Sequence, residues 1–131
     1  MANLANKKEL LEFMDDAHAQ HFKIAGLLLA AHGGSLTTCV TILRNSANTP
    51  QISGISVFTF LFGVGLIASI VYYASVFMTR AVVRNALMSD EDPNDSPSAG
   101  FLKALNLTSL AVALVTLLIA IGLVIWRSFF L

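Results

Sequence analysis

Three long apolar stretches, separated by short polar segments, set the pattern of this chain. Each is about 20 residues or slightly longer, the length that crosses a hydrocarbon core of roughly 30 Å at about 1.5 Å per residue of helix. The pattern predicts an all-α membrane protein with three transmembrane helices, at residues 24–43, 55–78 and 107–126. Because these spans leave little chain for anything else, residues 1–131 are expected to form a single membrane domain.

The segment before the first span has the periodicity of an amphipathic helix. Residues 4–23 place leucine, phenylalanine and methionine on one side and lysine, glutamate and aspartate on the other. No glycine or proline separates this lead-in from the first span, so one unbroken helix is expected from near Leu4 to Leu43. The carboxylates of the lead-in also argue against a secretory signal, which would need a basic start and a cleavage site.

Two polar connections separate the spans. In the first, Thr49 and Pro50 have the chemistry of an N-cap followed by proline at the first helical position. The second helix meets no breaker until about Met88, so we expect it to extend beyond its span into the cytoplasm. The acidic segment 89–98 then predicts a solvated cytoplasmic loop that ends on a serine-proline pair of the same kind.

The basic residues predict the orientation of the chain in its membrane. Six of the eight Lys and Arg residues lie on the side of the N-terminus and the second loop, and two lie opposite. By the positive-inside rule, the N-terminus is cytoplasmic and the C-terminus is periplasmic or extracellular. All eight acidic residues share the cytoplasmic side, where a soluble partner or signal would meet the protein. Four cations fall near the inner interface and can attract anionic lipid headgroups: Lys23, Arg80, Arg84 and Lys103.

Composition agrees with a membrane location and disfavours several other classes of protein. The chain is 56% hydrophobic and 12% charged, with one cysteine and a formal net charge of +0. These values disfavour a disordered chain, a disulfide scaffold and a nucleic-acid binder. The motifs G-x-S-x-G, H-E-x-x-H and C-x-x-C and the phosphate-binding glycine loop are absent, so the sequence predicts no enzymatic activity.

Small residues recur at helical spacing in all three spans. In lipid, apolar burial gives no gain, so helices associate where small side chains allow close backbone approach. These strips therefore predict packing inside the three-helix unit, a homo-oligomer interface, or contacts with other membrane subunits. They are Gly26, Ala30, Gly34 and Thr38 in the first helix, Gly65 and Ser69 in the second, and Thr116 and Ala120 in the third.

Three histidines fall within about 60° of one another around the first helix: His18, His21 and His32. His32 lies near mid-span, where a neutral imidazole can ligate haem b, handle a proton or serve as a hydrogen-bonded packing residue. His18 and His21 are close enough to share a metal ion, whereas His18 and His32 are about 21 Å apart along the helix. With no carboxylate at membrane depth to complete a site, no cofactor is expected, and haem b at His32 is the alternative.

The first span carries the group His32-Gly33-Gly34 at its centre, after the amphipathic lead-in and before two further spans. Over the whole chain this layout resembles small, uncharacterised bacterial inner-membrane proteins with three transmembrane helices. The resemblance implies a bacterial inner (plasma) membrane and brings no activity with it. The chain is also similar in length and span number to the cytochrome-b-type membrane anchor of succinate dehydrogenase. The arginine near the haem histidine and the polar quinone-site residues of that family have no equivalents here.

Two functional hypotheses remain open at this point, beside a third in which the chain is a purely structural subunit that fills a groove in a larger membrane complex. The first is a self-associating inner-membrane protein that forms a pore or perturbs the membrane and is regulated through its cytoplasmic helices. Small membrane effectors of bacterial defence systems are built from similarly few elements, which is an analogy only. The alternative is a haem- or quinone-associated anchor or accessory subunit of a respiratory or photosynthetic complex, which the histidine stripe suggests.

The charge pattern makes a testable prediction about topology. A reporter that works only in the cytoplasm should be active at the N-terminus and silent after Leu131, because three spans place the two ends on opposite faces. The measurement is reporter activity in intact cells, with a reporter that works only outside the cytoplasm as the control. The reverse pattern would overturn the cytoplasmic assignment of the N-terminus.

Overall fold

The structure is a computed structural model that describes residues 4–45, 54–89 and 97–130. These residues form three helices: α1 at Leu4–Asn45, α2 at Ile55–Met88 and α3 at Pro97–Phe130. Each contains a stretch that is long and apolar enough to cross a membrane. The predicted all-α fold with three transmembrane helices is therefore confirmed.

α1 is one continuous helix of 42 residues, which makes it about 63 Å long. This is about twice the thickness of a hydrocarbon core, so much of α1 lies beyond it. The unbroken helix predicted for the lead-in and first span is confirmed, as is the extension of α2 to Met88. We call the end of the unit formed by the first half of α1, the end of α2 and the start of α3 the inner end.

The helix ends show how the chain enters each element. Gly54 precedes α2 with a φ of 96°, a left-handed conformation that glycine adopts without a Cβ clash. Its carbonyl accepts hydrogen bonds from two N–H groups of the first turn, at 3.0 and 3.3 Å. α3 begins at Pro97, whose fixed φ and missing N–H suit the first helical position. The cap predicted at Thr49 and Pro50 and most of the acidic loop (90–96) lie outside the described residues.

α2 lies between the other two helices. It packs along α1 on one side and along α3 on the other, whereas α1 and α3 barely contact each other. Small side chains recur at these contacts and let the helix backbones approach closely, as association in lipid requires. The core consists of Ala25 and Leu28 on α1, Ala68, Tyr72 and Val76 on α2, and Ala113 on α3.

Large apolar side chains cover the outer surface of the unit. Phe60 and Ile67 on α2 and Leu107 and Leu118 on α3 are each exposed over about two thirds of their surface. In water such a surface would drive aggregation, whereas in a bilayer it contacts lipid chains of equal polarity. The outer surface is thus that of a multi-pass membrane protein.

The lead-in of α1 lies along the C-terminal part of α2. Arg80 donates from Nε and Nη2 to one carboxylate oxygen of Asp15, at 3.1 and 2.9 Å, and Met14 is half-buried nearby. Leu10 and Phe13, on the same apolar side of the lead-in, remain 46% and 73% exposed. α2 therefore covers only part of the amphipathic lead-in.

Candidate functional site

His32 joins all three helices near the middle of the bundle. Its side chain leaves α1 and is fully buried, and its Nε2 donates a hydrogen bond to the Ala113 carbonyl of α3 at 3.0 Å. Because a carbonyl can only accept, this bond places a proton on Nε2. Nδ1 is buried and has no hydrogen-bond partner among the described residues.

Gly65 of α2 makes room for this imidazole. A Cβ added to Gly65 would lie 2.1 Å from Cε1 and 2.3 Å from Nδ1 of His32, far inside van der Waals contact. The ring therefore occupies the space that any other side chain at this position would need. The Phe62 ring, one turn earlier on α2, lies 6.1 Å from the imidazole between centroids. Together these contacts fix how α1 crosses α2.

This geometry supports the packing role among the alternatives for His32. A haem ligand needs a nitrogen directed into space that can hold a porphyrin. Nε2 is instead bonded to Ala113, and Nδ1 faces the backbone of α2 at Gly65. The ring has no exposed surface. His32 as placed does not fit a haem.

The other two histidines make separate contacts. Nδ1 of His18 donates to the Met14 carbonyl of its own helix at 2.7 Å. Nδ1 of His21 shares a hydrogen bond with the Tyr72 hydroxyl of α2 at 2.6 Å. Across residues 4–45, 54–89 and 97–130, no group of three or more His, Cys, Asp or Glu side chains is placed to hold a metal ion. The pair His18 and His21 would need further ligands from elsewhere to form a metal site.

A second set of polar contacts joins the helices at the inner end. The Ser75 hydroxyl of α2 donates to the amide oxygen of Asn106 on α3, and the Asn106 amide nitrogen donates to the Thr79 hydroxyl at 3.0 Å. The His21–Tyr72 bond lies beside them. We call these five residues the inner polar cluster. It ties α2 to both neighbours at the inner end.

Sequence reasoning did not find the inner polar cluster as a unit. Its signal is the presence of Ser75, Thr79 and Asn106 in otherwise apolar stretches, because polar side chains in membrane helices commonly bond across helices. The acceptor for His32 carries no such signal, since every residue has a backbone carbonyl. Only the three-dimensional arrangement identifies Ala113 as the partner.

The small-residue strips separate into two groups. The strips of α2 and α3 are buried inside the unit: Gly65, Ser69, Thr116 and Ala120. Every member of the α1 strip is exposed: Gly26, Ala30, Gly34 and Thr38. A Cβ added at Gly26 or Gly34 would meet no heavy atom of another described helix within 4 Å. The first group therefore packs the unit internally, and the second makes no such contact.

Three threonines extend the exposed strip of α1. Thr37, Thr38 and Thr41 are all exposed, and their hydroxyls donate to carbonyls one turn earlier on α1, at 2.9, 3.0 and 2.8 Å. Together with the strip they cover an arc of about 120°. We call this surface the outer face of α1, and it consists of Gly26, Ala30, Gly34, Thr37, Thr38 and Thr41.

A cavity of 450 Å³ opens at the inner end, and all three helices line it. This volume lies within the roughly 300–1,000 Å³ of small-molecule sites. Its walls are mainly apolar, and they include the His18, Lys103 and Asn106 side chains. We call this cavity the inner cleft. The four cations expected near headgroups are all exposed, and Lys103 alone among them lines the cleft: Lys23, Arg80, Arg84 and Lys103.

The close approach of His32 to Gly65 makes a stability prediction. Gly65→Ala should lower the free energy of unfolding by about 1–3 kcal/mol, because the new methyl group overlaps the buried imidazole. The matched control is Gly63→Ala, where a Cβ meets no heavy atom within 4 Å. Unfolding in detergent measures both variants. Gly65→Ala should also cost less in a His32→Ala background, and an equal cost in both backgrounds would contradict the proposed overlap.

The inner polar cluster makes a second prediction. Tyr72→Phe removes the hydroxyl bonded to His21 and should lower the free energy of unfolding by about 0.6 kcal/mol, a typical value for hydrogen bonds between membrane helices. Tyr73→Phe is the control, because Tyr73 is exposed and packs its ring edge-on against Phe22. If both variants unfold alike, the His21–Tyr72 bond does not hold α1 on α2.

Comparisons with known proteins do not identify a relative of this chain. No family model, no curated protein and no solved structure gives a significant match to the chain. The function must therefore be argued from the chain's own surfaces. Those surfaces belong to a three-helix multi-pass membrane protein with a buried histidine junction, an exposed small-residue face and an open cleft.

Proposed function

We propose that this chain is a non-enzymatic membrane protein that associates with copies of itself through the outer face of α1. The proposal rests on the contrast between the small-residue strips of the three helices. The strips of α2 and α3 are used inside the unit, whereas every member of the strip of α1 is exposed. A second copy, or another membrane subunit, can pack against it as closely as α2 packs against α1 at Gly65.

The glycines of the outer face support this assignment energetically. Glycine in a helix interior is less favourable than alanine by up to about 1 kcal/mol. The glycine at position 65 has a steric explanation within the unit, because its missing Cβ admits the His32 ring. Gly26 and Gly34 have no such steric explanation within the described residues, where a Cβ at either position would meet no neighbouring helix. A close approach by another chain would explain why positions 26 and 34 are glycine.

The threonines of the outer face suggest what an assembly could do. Their hydroxyls bond to their own helix, and each oxygen keeps accepting capacity toward its surroundings. Three helices are too few to enclose a water path, so conduction would require several copies with these faces around a shared axis. In this proposal the assembly opens a pore or perturbs the membrane.

Regulation is proposed to enter through the helix parts beyond the bilayer. The lead-in of α1 and the end of α2 are joined by the exposed pair Asp15 and Arg80, with side-chain exposures of 59% and 44%. An exposed ion pair contributes at most about 1 kcal/mol, so a modest signal can separate these segments. We propose a bacterial inner membrane with this end in the cytoplasm, where Lys23 and Arg84 meet anionic headgroups.

The test is the copy number of the purified protein in mild detergent, measured by native mass spectrometry. The native chain should form a defined homo-oligomer, and Gly34→Ile should reduce the oligomeric fraction at least about tenfold by blocking close approach. Gly122→Ile is the matched control, because it is also a helical glycine with nothing within 4 Å of an added Cβ.

Each alternative gives a different spectrum. A native chain that is monomeric would overturn self-association, and a monomer that appears only with other subunits would identify an anchor or accessory role. An unchanged oligomer in Gly34→Ile would show that the contact lies on another surface. Ion flux through vesicles that hold the native oligomer then tests the pore, and no flux under any applied potential would contradict it.

A further inference from the structure

The inner cleft is a second open feature, and self-association through the outer face does not use it. It forms because α1 and α3 both pack against α2 and barely touch each other. His18 and His21 line it from the side of α1 that faces the unit, away from Gly26 and Gly34. The cleft therefore remains accessible in an assembly built on the outer face.

The chemistry of the walls defines what the cleft can hold. Val76 and Leu110 are among its apolar lining residues. Its basic lining groups are the Lys103 ammonium and the imidazoles of His18 and His21, and no described lining residue is a carboxylate. The nearby carboxylate of Asp15 already pairs with Arg80. The cleft thus combines a long apolar wall with a positively charged edge.

Along α3, the charged and apolar lining groups follow one another in the same order as the headgroups and hydrocarbon of a bilayer. The lining residues run from Ala99 to Leu110, a distance of about 16 Å along the helix axis. Lys103 precedes the apolar span predicted at 107–126, so its ammonium is expected at headgroup depth. Leu110 lies within that span. An amphiphile oriented like the surrounding lipid would meet the charge with its head and the apolar wall with its chain.

We propose that the inner cleft binds one anionic phospholipid, with its phosphate headgroup at Lys103 and one acyl chain between α1 and α3. A small soluble anion would leave the apolar wall uncovered, and a zwitterionic lipid would bring no net negative charge to the Lys103 ammonium. The phospholipid satisfies both surfaces at once. It fills the gap that the sparse contact between α1 and α3 leaves, and so braces the inner end of the unit.

The experiment measures lipid retention by the purified full chain with native mass spectrometry. Phosphatidylglycerol and phosphatidylcholine with the same acyl chains are added in separate titrations, and bound lipid is counted per protomer. One phosphatidylglycerol per protomer should be retained, about fivefold more tightly than phosphatidylcholine, from the contribution of one lysine near a charged headgroup. Oleate is titrated in parallel to distinguish a phospholipid from a free fatty acid.

Two pairs of variants locate the lipid. Lys103→Gln should lower phosphatidylglycerol affinity about fivefold, whereas Lys23→Gln, an exposed cation outside the cleft, should not. Leu107→Trp should reduce retention of both lipids by filling the cleft. Leu118→Trp is its control, because Leu118 is 66% exposed, lies on the same side of α3 and is not in the cleft. Lys103 and Leu107 are exposed, so these changes leave the core intact.

The outcomes are distinct from those of the copy-number test, because lipid is counted per protomer in either a monomer or an oligomer. Selective loss of phosphatidylglycerol in Lys103→Gln and loss of both lipids in Leu107→Trp would support the site. Equal retention of the two lipids, or equal effects in variants and controls, would overturn it. Retention of oleate in place of phosphatidylglycerol would overturn the phospholipid assignment.

Discussion

The arrangement of the helices depends on one requirement, which is that a polar group buried in the bundle must find its partner within the protein. Nε2 of His32 meets this requirement, because the side chain crosses α2 at Gly65 and donates to the Ala113 carbonyl of α3, whereas Nδ1 has no partner among the described residues. A side chain larger than that of glycine at position 65 would block the path of the imidazole to α3. An apolar residue at position 32 would gain no hydrogen bond by following that path. The junction therefore fixes the heights of three helices relative to one another.

The open surfaces of the unit follow from this junction. α1 and α3 are both held against α2, and apart from the His32 bond they have little contact with each other. The side of α1 that faces away from α2 remains uncovered, which leaves Gly26 and Gly34 exposed. At the inner end the same separation leaves the cleft between α1 and α3. The two surfaces assigned to function are thus consequences of placing one helix between two others.

The fold was predictable from the sequence because span length, apolarity and helix continuity are local properties of the chain. The junction was not, because His32 and Ala113 are 81 residues apart and a backbone carbonyl leaves no trace in the residue pattern. Periodicity likewise finds small residues without saying which side of a helix faces its neighbours. Gly34 and Gly65 look equivalent in the sequence, yet one is exposed and the other accommodates an imidazole.

The contacts also differ in strength along the unit, and this difference matters for the proposed regulation. At mid-span the junction is fully buried, whereas at the inner end α1 is held by the exposed pair Asp15 and Arg80 and by the partly buried His21–Tyr72 bond. The lead-in can therefore move at lower cost than the middle of the bundle. Because α1 continues without a break from the lead-in through the first span, a displacement of its lead-in can be transmitted along the helix. The outer face of α1 lies on both sides of the His32 junction, so a signal at the inner end would reach the surface proposed for self-association.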